Sequence, residues 1–256
     1  MTNDHRIDRR RFLVGALQAA GLLLLAGCDN LSRSEWFPRV LDSAEGLTRR
    51  AQRLITSRKA MAKEYTEADL SPVFPSNGNS DPDNPDYQAM AQNGFAYWKL
   101  QIGGLVQHPT SLSLAELRAL PARTQITRHD CVEGWSAIGK WKGVPLGTLL
   151  SLAQPLPSAR YVVFHCADPD EDDQNYYESL DFEDAYHPQT ILAYEMNDRT
   201  LPIAHGAPIR LRVERQLGYK HAKYVMRIDL VESFESIASG KGGYWEDQGY
   251  EWYAGI

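Results

Sequence analysis

The chain is poor in cysteine, with three in 256 residues, at positions 28, 131 and 166. That number and spacing exclude a disulfide framework. A C-x-x-C-H motif is absent, so no haem is attached covalently. Positive charge is not in excess: 27 Lys and Arg stand against 33 Asp and Glu, which excludes a general nucleic-acid binder. The apolar run from Val14 to Ala26 is short for a bilayer and suits the apolar stretch of an export signal. Asp168 to Asp173 holds five acids in six positions, without the spacing or turn glycine of an EF-hand. It reads as a solvated loop. The length allows one large domain with small appendages.

Residues 1–27 stand apart from the fold. Arg9-Arg10-Arg11-Phe12-Leu13 fits the twin-arginine pattern. Leu25-Ala26-Gly27-Cys28 resembles a bacterial lipobox, which implies a lipidated Cys28, and Asp29 then resembles an inner-membrane retention signal. The expectation is a periplasmic protein tethered by lipid. Plain signal cleavage and a single membrane anchor are the alternatives. Residues 28–65 form a tether and an amphipathic helix, expected from about Leu41 to Tyr65. Leu41, Ala44, Leu47, Ala51, Leu54, Ile55 and Met61 recur at helical spacing for packing on the domain. Arg49, Arg50, Arg53, Arg58, Lys59 and Lys63 form a face for solvent or for anionic lipid.

The main domain covers 66–256. Residues 66–94, rich in Pro, Asn, Asp, Ser and Gly, carry no period and read as an irregular, functional segment. Trp98 to Val106 alternates as a half-buried strand. Ser113 and Glu116 have capping-box spacing for a short helix that Pro121 stops. Thr124 to Thr127 is a strand, Val144 to Ala153 a helix. Tyr161 to Asp168 is a buried strand, with Cys166 most simply a small core residue. Ile191 to Asp198 is a strand running into a turn.

Two stretches carry chemistry. Cys131 sits in Arg128-His129-Asp130-Cys131-Val132-Glu133-Gly134-Trp135-Ser136, a polar segment between apolar runs. Positive charge from Arg128 and His129 would favour a thiolate, as nucleophile or soft metal ligand. An inert buried cysteine is the plain alternative. From 205 to 227 there are six Lys or Arg and one acid, Glu214, a density suited to a phosphate or similar anion. Gly206 and Gly218 let backbone N–H groups approach it. The terminal Tyr244-Trp245 to Tyr253 is dense in aromatics, so the tail is expected to be docked.

RHDCVEGWS followed by WKGVPLGTLL, together with LAYEMN…LP…HGAPIRL…GYKHAKYV, resembles the sulfite oxidase family of molybdenum enzymes over roughly residues 70–256. The resemblance implies an α+β fold, the mixed β-sheet molybdopterin-binding domain, without the C-terminal immunoglobulin-like domain. It implies Mo-molybdopterin as cofactor with Cys131 as protein ligand to the metal. His205, Arg210, Lys223 and the backbone at His221 and Ala222 would hold the cofactor. Asn77, in Phe74-Pro75-Ser76-Asn77-Gly78, and Cys166 would contact the pterin. Tyr250, five residues after Trp245, matches an active-site tyrosine. Val132-Glu133-Gly134-Trp135 replaces the asparagine and paired arginines of the sulfite-oxidising members. The Cys-Val-Glu-x-Trp-Ser pattern is closer to the periplasmic branch with the methionine sulfoxide reductase catalytic subunits. The implied activity is oxygen-atom transfer to or from a small sulfoxide- or sulfite-like substrate, in a tethered monomer. Electrons would pass through a membrane b-type cytochrome or a soluble cytochrome c. Two alternatives remain: a non-catalytic anion- or pterin-binding lipoprotein, and a thiol redox protein using Cys131 and Cys166.

Overall fold

The computed structural model describes residues 37–57, 59–169 and 174–256. The twin-arginine signal, the lipobox with Cys28, Arg58 and most of the acidic loop (170–173) lie outside the described residues. The chain divides into units 1–51 and 52–256. Helix α1, Phe37–Ile55, ends ten residues short of the expected Tyr65. The Thr56 N–H makes the last helical bond, to Gln52 O at 2.7 Å, and beyond it the Tyr65 N–H donates to Ile126 O at 2.9 Å. The expected apolar packing fails at its end, where Leu54 and Ile55 are each 86% exposed. Arg53 makes the contacts instead. It pairs with Asp181 at 2.7 Å, Asp184 at 3.2 Å and Glu183 at 3.3 Å, and lies 5.2 Å over the Tyr253 ring.

The segment 66–94 is more ordered than its composition implies. It holds a 3-10 turn, Glu67–Asp69, and helix α2, Pro85–Gln92. Pro85 suits the first helical turn, and the Asn84 side chain caps it by accepting from the Tyr87 N–H at 3.0 Å. Only Tyr87 of this helix is buried, so no apolar period marks it in the sequence.

The strands are β1 Lys99–Gly104, β2 Thr110–Ser113, β3 Arg123–Asp130, β4 Ser136–Pro145, β5 Tyr161–Pro169, β6 Asn175–Asp181, β7 Ile191–Met196, β8 Arg199–Thr200, β9 Arg210–Arg212 and β10 Val225–Val231. One sheet has the order β2-β1-β10-β5-β6, and the other β3-β4-β7-β8 with β9 also on β7. The β1–β10 pair is parallel and the other pairs are antiparallel. The short helices α3 Leu114–Ala119, α4 Leu146–Ala153, α5 Phe182–Ala185 and α6 Tyr244–Asp247 complete an α+β fold with mixed sheets. Helix α3 has the capping box expected of Ser113 and Glu116.

The core joins α4 to residues of both sheets. Leu146, Leu149, Leu150, Val162, Phe164 and Ile228 are fully buried, each contributing about 1.5–3 kcal/mol. Strand β4 has no counterpart in the expected elements. Its buried side is Ala137, Gly139, Trp141 and Gly143, which lacks the β-branched signal of a strand. A Cβ at Gly143 would run into the Leu192 carbonyl, so glycine lets β7 approach where the register shifts.

Candidate functional site

Strands β3 and β4 form a hairpin with Cys131 at its tip. The Cys131 N–H donates to Trp135 O at 2.9 Å, and Gly134 takes the turn's φ of 90°. Asp130 fixes the approach, accepting from Arg128 Nε at 3.0 Å and from the Ser136 hydroxyl at 2.5 Å. The Trp135 indole donates to Glu133 Oε2 at 2.8 Å. This arrangement corrects the expected source of a thiolate. Arg128 is exposed and already paired with Asp130. His129 is buried and held well below its usual pKa, by burial first and by Arg212 next. Its Nδ1 lies 3.0 Å from Arg212 Nη1 and accepts from it, so the ring is neutral. Burial pushes the Cys131 thiol up. A thiolate there needs a cation that neither neighbour provides.

Behind the hairpin lies the cationic segment. A 3-10 turn, Ile203–His205, ends at Gly206 with φ 106°, where a Cβ would sit 2.9 Å from the Lys223 side chain. Arg210 and Arg212 on β9 are fully buried, with guanidinium carbons 5.1 and 4.4 Å from the Trp141 ring. Arg212 is neutralised by Glu214 at 2.9 and 2.6 Å. Arg210 donates only to carbonyls, His205 O at 3.1 Å and His221 O at 3.4 Å. Burial, then Arg212, pushes its pKa down to about 9. Lys223 Nζ donates to Asn77 O at 2.6 Å, to Ala204 O at 3.2 Å and to Asn79 O. Burial and Arg210 bring it down to about 7, against the opposing pull of Asp168 and Glu133.

These groups border a cleft of about 300 Å³. Of the predicted residues, Asn77, Cys131, His221, Lys223 and Tyr250 line it. Arg210 and His205 stand behind that wall, joined to each other by their hydrogen bond. Cys166 and Ala222 are buried in the core and are not part of the lining. Both Cys131 and Cys166 are free thiols. Sequence reasoning missed several lining residues, among them Glu133, Asp168, Tyr176 and Tyr219. Asp168 lies in β5, as the expected strand Tyr161 to Asp168 had it, and is buried where the reading of the acidic run had it solvated. Burial raises its carboxyl to about 7. Its signal was its place at the end of an apolar run.

Five buried polar atoms here have no protein partner: Asn77 Oδ1, Asp168 Oδ1, His205 Nδ1, Arg210 Nε and His221 Nδ1. His221 Nε2 donates to Gln216 O at 3.1 Å, so its Nδ1 is a bare acceptor. Protein interiors rarely leave such atoms unpaired. A buried, uncompensated guanidinium beside donors and acceptors of both kinds fits an anionic ligand with a polar heterocycle. A free thiol on the same cleft adds a soft metal ligand. The residues therefore fit a molybdenum-bearing pterin phosphate.

The tail is docked as expected. Leu217 N–H donates to Ala254 O at 2.9 Å, and Ile256 N–H to Arg215 O at 3.0 Å. Lys220 does not line the cleft. It is fully buried between the carboxylates of Glu178 on β6 and Glu246 on α6.

The family model for the oxidoreductase molybdopterin binding domain matches residues 87–237. A relative from Azospira oryzae, titled "Putative protein-methionine-sulfoxide reductase subunit YedZ1", is 38% identical over 247 residues, 96% of this chain and 87% of that protein. The protein-methionine-sulfoxide reductase catalytic subunit MsrP of Xanthomonas axonopodis pv. citri is 38% identical over 151 residues, 55% of this chain and 47% of that one. Among solved structures, the sulfane dehydrogenase SoxCD from Paracoccus pantotrophus matches 54% of this chain and 39% of its own, at 24% identity and a TM-score of 0.49.

Proposed function

The chain belongs to the oxidoreductase molybdopterin binding domain family, as an enzyme carrying Mo-molybdopterin, and we propose that it reduces a sulfoxide of the methionine type. The observation that carries this reading is the set of unpartnered polar atoms around Arg210, on the same cleft as the Cys131 thiol. Arg210, Lys223, His205, His221 and Asn77 would hold the cofactor, and Cys131 would ligate its metal. When bound, that group supplies a two-electron couple able to accept an oxygen atom. The balanced reaction takes one sulfoxide, two electrons and two protons to one thioether and one water.

The chain's own residues orient the substrate and deliver protons. The Tyr250 phenol lines the cleft and can donate to the departing oxygen. Sulfoxide is favoured over sulfite by charge. Glu133 and Asp168 line the cleft, while the Lys223 ammonium is directed to three carbonyls. Both relatives are titled as subunits, which supports a second component as electron donor. That donor is a membrane b-type cytochrome or a soluble cytochrome c. The periplasm, a lipid tether at Cys28 and a monomeric catalytic chain complete the proposal.

The test is elemental analysis of the exported protein for molybdenum, with tungsten alongside, then reduction of N-acetylmethionine sulfoxide amide by a dye donor. Near-stoichiometric metal with sulfoxide turnover supports the reading. A fully loaded protein that turns over sulfite and no sulfoxide overturns the substrate, and one inert to both overturns the activity.

A further inference from the structure

Large apolar side chains stand exposed on the cleft wall. Val132 is 44% exposed, Tyr250 41% and Trp245 37%. Trp245 and Tyr250 stack at 5.3 Å with 29° between their planes. Each is braced edge-on from behind: Tyr250 by Tyr219 at 5.3 Å and 87°, Trp245 by Tyr244 at 5.3 Å and 84°. Exposed aromatics held this firmly mark a surface that something covers.

The pair is fixed by one buried cation. Lys220 binds Glu246, the residue after Trp245, and itself follows Tyr219. The Tyr219 hydroxyl donates to Glu251 O at 2.6 Å, beside Tyr250. Asp247 accepts from the Tyr177 hydroxyl at 2.6 Å and from the N–H of Lys241 at 3.0 Å. The rings are thus set in place before any ligand arrives.

We propose that the Trp245–Tyr250 stack forms an aromatic platform, a clamp only in the sense of one fixed jaw, that seats the thioether end of a methionine side chain on its exposed surface and so determines specificity. The inference rests on the sulfoxide reading above and adds Trp245, which that reading leaves unused, and a second role for the Tyr250 ring. Aromatic faces and edges attract polarisable sulfur and its adjoining methyl and methylene groups. The carboxylates of Glu133 and Asp168 share the wall with the rings, which disfavours an anionic group seated directly against them. Because the rings are partly exposed, the occupant is continuous with solvent, as a side chain on a polypeptide would be.

The test uses the loaded full chain and its Trp245→Ala and Trp245→Phe variants, each matched for molybdenum content. The alanine variant is expected to raise KM for N-acetylmethionine sulfoxide amide about tenfold, the upper range of a sulfur–aromatic contact. Phenylalanine should recover most of the loss. Dimethyl sulfoxide, which carries the same sulfur and S-methyl group, should show a rise in KM in the same direction. A second readout needs no turnover: saturation transfer by NMR from the protein to the S-methyl of N-acetylmethionine amide, present in the parent and lost in Trp245→Ala. Transfer without sulfoxide turnover would sink the proposed function and keep the clamp. Turnover with unchanged KM in Trp245→Ala, or stronger transfer to tetramethylammonium than to the thioether, would overturn the clamp.

Discussion

Lys220→Met should cost more stability than any surface change, and the cost should depend on pH. Lys220 and Glu178 are fully buried, and Glu246 nearly so. Lys220 therefore holds two carboxylates in a dry interior with one positive charge. Burial, and then Glu246, already raises the Glu178 carboxyl well above its usual value. Burial opposes the Lys220 charge, yet Glu178 and Glu246 outweigh it and hold its pKa up. Removing the cation leaves both carboxylates uncompensated, a loss of about 3–5 kcal/mol. For a domain of roughly 200 residues that is a fall in Tm of about 6–20 °C. The sign with pH follows from linkage. A carboxyl whose folded pKa is raised binds its proton more tightly when folded, so stability falls as pH rises from the unfolded value through the folded one. Without Lys220 that window extends higher. The gap between variant and parent should be wider at pH 8.5 than at pH 6. Thermal unfolding of the cofactor-free full chain at both values measures it. Replacing all three by apolar residues (Glu178→Leu, Lys220→Met, Glu246→Leu) should recover more than half of the loss. A gap below about 1 kcal/mol at pH 8.5, or an equal gap at both pH values, would refute the reasoning.

Four further outcomes follow from the cleft. Cys131→Ser should abolish sulfoxide reduction while pterin per chain survives, because Arg210 and Lys223 are untouched; fluorescence of released pterin checks it. Gly218→Ala would place a Cβ 2.5 Å from His129 Nε2 and 3.1 Å from Asp130 O. It should cost about 1–3 kcal/mol in urea unfolding and lower molybdenum content, since both neighbours lead into Cys131. Sulfate binding to the cofactor-free protein should weaken above pH 7, as Lys223 loses its proton at about 7 and Asp168 ionises over the same range. His205, already down to about 4, stays neutral throughout, and calorimetry should find the slope flattened in Lys223→Met/Asp168→Asn. Tyr250→Phe keeps the ring but removes the phenol. It should lower kcat about tenfold or more with KM little changed, by steady-state kinetics.

Legibility in the sequence followed locality. The Cys131 turn was readable because its signals are adjacent: a polar run, Glu133, and Gly134 at a positive φ. The HGAPIR and GYKHAK segments were readable because their cations cluster within one stretch. The docked tail was readable from its aromatics alone. Strand β4 was not, because its buried side is built from Ala137, Gly139, Trp141 and Gly143, chosen for close approach to β7 and Phe74. Helix α2 was hidden by having Tyr87 as its single buried residue. The state of His129 was misread because burial, and then Arg212 from 83 residues away, sets it.

The same limit applies to the positive stretch itself. Six Lys or Arg between 205 and 227 looked like one anion site. Folding divides them by partner. Glu214 neutralises Arg212, and Asp229 pairs with Arg227 at the surface. Lys220 and Lys223 are three residues apart and alike in type, yet their roles differ. Lys220 meets Glu178 and Glu246, which lie 42 and 26 residues away in the chain. Lys223 meets only carbonyls, and Arg210 likewise. A buried cation satisfied by carboxylates has no charge left to offer a ligand, whereas one satisfied by neutral oxygens keeps it. Which cations bind the cofactor is therefore decided by the acids that folding withholds from them, and Arg210 and Lys223 meet carbonyl oxygens in place of carboxylates.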